Sequence, residues 1–274
     1  HRYGRRQRQM CIRDSNTRVT CVLEGAEVMV VSCNLKEGLS QPFYLELDVY
    51  EHRLTRKKIN YKAMLDGKAV ITFWEGKKPI RYINGVIYRI AAGKVTKYHL
   101  HYHISVTAAL HHAHLNSDCR IFQQLTAKEI LLKLMKANGI VHHKIELREP
   151  RERREYCVQY NETDYDFIHR LAAEEGIIYW FEFHKTHHTL CFGDALGQLP
   201  RTAKPLNYRE HNALATEPSI WRFDYQEQLV TARHVQRDYT FKNPRYSLEH
   251  KHLGLNLNNQ GDHYLKYHYN GRYK

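Results

Sequence analysis

Three histidines, His99, His101 and His103, alternate along one stretch, a spacing that puts all three imidazoles on the same face of an extended chain. Imidazole is a common metal ligand, so metal binding is the first chemistry to weigh. At a rise of about 3.3 Å per residue the outer two stand about 13 Å apart, too far for one ion with bonds near ~2 Å. At most an adjacent pair would share an ion. His111, His112 and His114 follow closely and are the nearest source of a further ligand, but no cysteine or carboxylate in the run has a recognised ligand spacing. A polar sheet face is the expectation. Glu174 and Glu175 suggest an acid/base pair, yet successive helical residues point about 100° apart, which predicts exposed helix-end acids. Cys157, with His169 as its base, would make a thiol nucleophile; its place in a strand among apolar neighbours predicts an inert thiol. Phe167, Tyr179, Trp180 and Phe181 are expected to pack as core. G-x-S-x-G, P-loop, H-E-x-x-H and dinucleotide fingerprints are all missing from the sequence. The expectation is a chain with no catalytic, cofactor-binding or metal-binding residues, and not an enzyme.

The element that orders the rest of the chain runs from Arg154 to Phe183 and reads as strand, cap, helix, stop, strand. Thr163 is placed to accept from the first helical turn, and Asp166 three residues on completes the spacing of a capping box, so a helix is predicted from near Asp164. Ile168, Leu171, Ala172 and Glu175 share a face that Phe167 widens, and Gly176 supplies the left-handed residue that ends it. Ile177 to Phe183, β-branched and aromatic, is then a strand covered on both faces.

This stretch resembles the signature of the VgrG spike proteins of bacterial type VI secretion and of the related tail-hub proteins of contractile-tailed phages. Arg154 to Glu182 meets almost every fixed position of that pattern. Further agreements are Asn84 to Ile90 (NGVIYRI), Ser117 to Leu131, Arg237 to Pro244 and the YNGRY run at Tyr269 to Tyr273. The resemblance covers about residues 17–274.

Composition says less. The chain has 274 residues, 42% hydrophobic and 26% charged, enough for about two globular domains. Val19 to Val31 is the nearest approach to a membrane or signal segment, but Glu24 and Glu27 interrupt it and no small-residue cleavage site follows. Neither a signal peptide nor stable membrane insertion is expected. The six cysteines are scattered without a C-x-x-C pair and read as reduced, small hydrophobes. The net charge of +13 raises nucleic-acid binding as an alternative. Residues 1–15 (HRYGRRQRQMCIRDS) look like translated sequencing-adapter read-through, an artefactual leader; its five arginines and one aspartate contribute +4 and leave +9. The basic runs Arg53 to Lys58 and Arg148 to Arg154 are mixed with acids or lie in turns, as solvated surface does. No nucleic-acid partner is expected.

From residue 16 onward the pattern is one of short strands. Phe43, Leu45, Leu47 and Val49 alternate with Tyr44, Glu46, Asp48 and Tyr50; Val70 to Trp74 is a second strand; Asn84-Gly85 is predicted as a tight hairpin turn from which Val86 to Ile90 returns; and Lys97 to Val106 closes the series. Residues 16–117 therefore form an antiparallel barrel or sandwich, and the resemblance selects the barrel. Residues 118–195 form a small α+β module, with a second helix opened by the capping box Thr126 to Glu129 and stopped at Asn138-Gly139. The two helices align with each other, and nothing outside them is expected to repeat. Leu196 to Pro205 reads as a linker. Residues 196–274 form a second β domain with strands at Ile220 to Tyr225, Leu229 to Val235 and Asp238 to Phe241, ended by Pro244. The fold class is mainly β with an α+β insert: two antiparallel β-barrels of the phage tail-hub type around a helical module, the second barrel expected to be incomplete at Lys274.

The resemblance implies a structural hub of a contractile injection machine. It implies a homotrimer whose barrels form a ring adapting a hexameric inner-tube protein to the puncturing needle, with baseplate components, a needle domain and effectors as further partners. Such a protein is cytoplasmic during assembly and is then secreted by the machine. The alternative from the same resemblance is a hub of a contractile prophage tail.

Overall fold

The computed structural model describes residues 17–52, 60–201, 207–208, 219–220, 222–254 and 260–269. The leader at 1–15, the whole basic run at 53–58 and most of the YNGRY run lie outside these. The chain is mainly β, with two α-helices among the described residues, and divides into two compact units, the first reaching Asn207 and the second holding the residues from Ile220 onward. No helix among the described residues is long and apolar enough to cross a membrane.

The first unit begins with six antiparallel strands: β1 (Thr17–Leu23), β2 (Ala26–Lys36), β3 (Tyr44–His52), β4 (Lys68–Glu75), β5 (Lys78–Val95) and β6 (His99–Thr107). They close on themselves in the order β1-β2-β3-β6-β5-β4, with β4 paired back to β1. The period-2 reading of β3 is met: Phe43, Leu45, Leu47 and Val49 are buried and join Ile71, Ile83, Ile87, Ile104 and Val106 in the core.

Asn84-Gly85 is not a turn. It lies inside the 18-residue β5, and β4 is joined to β5 at Gly76, three residues after Phe73. At Val86 pairing passes from Lys68 of β4 to Thr107 of β6, so β5 serves both neighbours in succession. A Cβ on Gly85 would stand 2.5 Å from Val106 Cγ1 and 2.6 Å from the Thr107 carbonyl. The glycine permits close backbone approach where the sheet turns its corner. The two-residue hairpin with two positive φ angles is instead Glu24-Gly25 between β1 and β2, at 45° and 80°.

The rest of the first unit comprises β7 (Ser117–Leu125), α1 (Ala127–Ala137), β8 (His143–Glu146), β9 (Arg154–Thr163), α2 (Asp164–Glu174), β10 (Ile178–Phe183) and β11 (His188–Gly193). β7 and β9 pair antiparallel, while β10-β11-β8 form a separate sheet in which β8 runs parallel to β11. Strand–helix–strand is thus used twice, as β7-α1-β8 and β9-α2-β10, so the repetition extends beyond the helices. Both helices end alike. Gly139 and Gly176 have φ of +66° and +65°, and the amides of Ile140 and Ile177 reach back to the carbonyls of Met135 and Ala172 at 2.9 and 2.8 Å. These are the bonds of a Schellman stop, and each places a buried isoleucine just beyond the glycine.

Leu196 to Pro200 is not a free linker. Gln198 Oε1 accepts from the Asp194 and Ala195 amides, and its Nε2 donates to the Glu146 carbonyl at 3.0 Å. In the second unit the longer described strands are Arg233–Asp238, Leu248–Leu253 antiparallel to it and Leu265–Tyr269 parallel to it. Residues 222–232 form no strand, and Pro244 does not end the series, since two strands follow it. Among the described residues a three-stranded sheet with Ala232 and Leu248 buried stands where an incomplete second barrel was expected. Its strands are mostly polar and lack the apolar alternation that would reveal them.

Candidate functional site

The signature stretch folds into a polar lattice around the start of α2. Asp164, 3% exposed, sits at the first helical position. Its Oδ1 accepts from Gln159 Nε2 at 2.8 Å and from Arg120, and its Oδ2 accepts from Asn138 Nδ2 at 2.7 Å. Arg120 Nε also reaches Gln159 Oε1 at 2.9 Å, and Asn116 Nδ2 reaches Asn138 Oδ1 at 2.9 Å. One carboxylate therefore ties β7, β9, the end of α1 and the start of α2, where the helix dipole favours a negative charge.

Thr163 accepts from the Asp166 amide at 3.0 Å, as a cap should, but the Asp166 carboxylate takes the Thr163 hydroxyl at 2.7 Å. At Thr126 and Glu129 the reciprocal box is complete. Glutamate has the extra methylene that reaches back to the cap amide.

Glu174 and Glu175 are not free helix-end acids. Arg154 Nη1 holds Glu174 Oε2 at 2.8 Å, and its Nη2 holds Glu175 Oε1 at 2.6 Å. Both converge on one guanidinium because Glu175 is the C-cap, outside the regular helix. Arg170 bridges Glu174 at 2.9 Å and Glu162 at 2.6 Å and donates to the Val158 carbonyl, joining α2 to β9. Burial would raise the Glu174 carboxyl, but the hydrogen bonds and charges of Arg154 and Arg170 outweigh it and hold it below the usual range.

The other candidates are set apart from one another. The polar neighbour of Cys157 is Arg154 Nη1 at 3.9 Å, whereas the His169 ring lies against Tyr165 and Tyr179. Burial pushes the Cys157 thiol up despite the pull of Arg154, the opposite of what a nucleophile needs. His103 Nδ1 pairs with Asp48, His99 and His101 lie beside Tyr50, and His112 Nε2 meets Asp66 Oδ1 at 2.6 Å. His111 and His114 stand 5.4 Å apart, with His114 stacked on Tyr165 at 3.8 Å. Among the described residues no group of three or more His, Cys, Asp or Glu has the geometry to hold a metal ion. Phe167 stacks on Phe122, while Tyr179 and Phe181 pack toward Phe192 and Phe43, so the predicted aromatic cluster is two clusters. Trp180 faces an open groove of about 360 Å³ lined by Leu39, Phe43, Phe181, Leu199 and Pro200, where the Glu37 carboxylate is engaged by Arg81.

Two features escaped sequence reasoning. The outer face of the β7–β9 ribbon is apolar and bare: Ile121, Tyr156, Val158 and Tyr160 are all exposed. Alternation along β9 was its only signal. The barrel also packs directly on the module, through the edge-on pair Phe43 and Phe181 at 5.3 Å and the Ser40 amide to the Tyr179 carbonyl at 2.8 Å.

Comparison with known proteins bears on this arrangement. A family model described as phage tail baseplate hub (GPD) matches residues 36–274. The chain is 34% identical over 247 residues to the type VI secretion system spike protein VgrG2b of Pseudomonas aeruginosa, across 89% of this chain and 24% of that protein. It is 32% identical over 262 residues to the actin cross-linking toxin VgrG1 of Vibrio cholerae, across 92% and 24%. It therefore spans about a quarter of the length of these relatives. Among solved structures, the E. coli c3393 protein, a component of the type VI secretion system, superposes with a TM-score of 0.58 at 19% identity, over 67% of this chain and 51% of that one. The 43 kDa tail protein of prophage MuSo2 from Shewanella oneidensis gives 0.57 at 10% identity, over 93% and 73%. At these identities the structural likeness speaks for the fold. The family match spans the barrel from the end of β2, the polar lattice around Asp164 and the second unit, and on that ground the chain belongs to the phage tail baseplate hub family.

Proposed function

We propose that this chain is the hub segment of a type VI secretion spike, a structural part that assembles as a homotrimer, seats on a hexameric inner tube and carries a needle and its effectors, with no catalysis of its own. The observation that carries the reading is the 34% identity to a type VI spike protein over 247 residues. The module supports it, since Arg120, Arg154, Arg170, Asp164, Glu174 and Glu175 are spent on holding strands and helices together. The bare apolar face on β7 and β9 suits a protein that assembles. Rigid transfer of force is served by the direct packing of barrel on module. We assign residues 16–117 to a first barrel, 118–195 to the module and 196–274 to a second β domain, and no residue to a catalytic, cofactor or metal site. The protein would be cytoplasmic until the machine ejects it, without a nucleic-acid partner. Size-exclusion chromatography with light scattering tests the assembly: a discrete mass of three chains is expected, and a stable monomer at micromolar concentration would count against it.

A further inference from the structure

The barrel meets the module at a seam bridged by one histidine. His188, the first residue of β11, accepts from the Ala109 amide through Nε2 at 3.2 Å and also hydrogen-bonds the Asn84 backbone of β5. Its ring stands edge-on to Phe43 at 5.6 Å and Phe181 at 5.8 Å, and tilted to Phe183 at 6.4 Å. A ring nitrogen that accepts from N–H carries no proton, so this arrangement requires the neutral imidazole. Beside it, Asn84 Nδ2 donates to the carbonyls of His184 and His187, and His142 stacks on His187 at 4.0 Å.

The groups whose charge bears on His188 are His142, before β8, and His187, in the turn before β11. Phe43, Asn84 and Ala109 from the barrel and Phe181 and Phe183 from β10 carry none. The charges of His142 and His187 both oppose a proton on His188.

We propose that this seam is an acid-released joint: protonating His188 sets Nε2–H against the Ala109 amide and parts the module from the barrel, while each part keeps its own fold. Burial, with smaller pushes from His142 and His187 against the Asn84 bond, holds the imidazole at about 4. A folded value below the ordinary one means that the folded joint binds fewer protons. The joint is therefore at full strength above about pH 6.5 and weakens as pH falls from there toward about 4.

Hydrogen exchange by mass spectrometry on the whole chain tests this. Between about pH 7 and 4.5, after correction for intrinsic rates, the peptide holding Ala109 should lose protection at least about tenfold more than peptides holding Ile71 or Leu131. In His188→Gln, whose amide both donates and accepts but does not titrate, that difference should vanish. An equal loss in all three peptides, or the same pH dependence in His188→Gln, would overturn the proposal. Exchange at the His188 ring C2, read on the unaltered protein, decides independently of whether the variant folds: a midpoint well below 6.5 supports the joint, and one at or above 6.5 refutes it.

Discussion

Asn138, the C-cap of α1, donates to the carboxylate of Asp164, the first residue of α2, at 2.7 Å, so the end of one helix is hydrogen-bonded to the beginning of the next. The same carboxylate receives Arg120 and Gln159. Asp164→Leu should therefore strand three donors and cost about 3 to 5 kcal/mol, the range for breaking a buried pair on one side. Chemical denaturation measures it, and a loss under about 1 kcal/mol would show that the lattice does not hold the module.

Gly176 and Gly85 are both required, for different reasons. At Gly176 a Cβ would meet nothing within 4 Å, so the demand is purely the positive φ. Gly176→Val should cost about 1 to 2 kcal/mol and Gly176→Asn clearly less, because asparagine tolerates the left-handed region. Equal midpoints for the two variants would contradict the Schellman stop.

At Gly85 the demand is space. Gly85→Ala should destabilise the barrel by about 1 to 3 kcal/mol through the clash with Val106 and the Thr107 carbonyl. An exposed turn would accept the methyl, so an unchanged thermal midpoint would reinstate the hairpin reading of Asn84-Gly85.

Acid should weaken the fold further below the range in which His188 acts. Glu174 is held below its usual value by Arg154 and Arg170 against burial, so its share of stability is present above about pH 4.5 and is lost as pH falls through the lower folded value. Arg154→Gln removes one of the cations that hold it there, and should flatten the acid limb of a stability-against-pH curve. An identical limb in the variant would show that the pair contributes nothing.

What was legible in the sequence was local. The helices, their caps and the glycine stops at Gly139 and Gly176 are set by side chains within four or five residues of where they act, and they fall where the spacing put them. β3 showed itself because one face is buried and the other is wet. Asn84-Gly85 misled because its role depends on Val106 and Thr107, some twenty residues away, and no local pattern shows a close approach. The strands at 248–253 and 265–269 were missed because both faces are largely polar and exposed. Glu174 and Glu175 looked like solvated acids because their partner, Arg154, lies on β9, some twenty residues before the helix end.

The central claim is that this chain works as the hub of a secretion spike, and a chimera tests it most directly. Residues 36–274 would replace the matching stretch of the Pseudomonas aeruginosa spike protein, and release of the inner-tube protein into the medium would be measured in a strain lacking its own spike proteins. The account predicts that release is restored, and that Asp164→Leu within the graft abolishes it. A chimera that folds and assembles as a trimer but leaves the medium free of tube protein would contradict it.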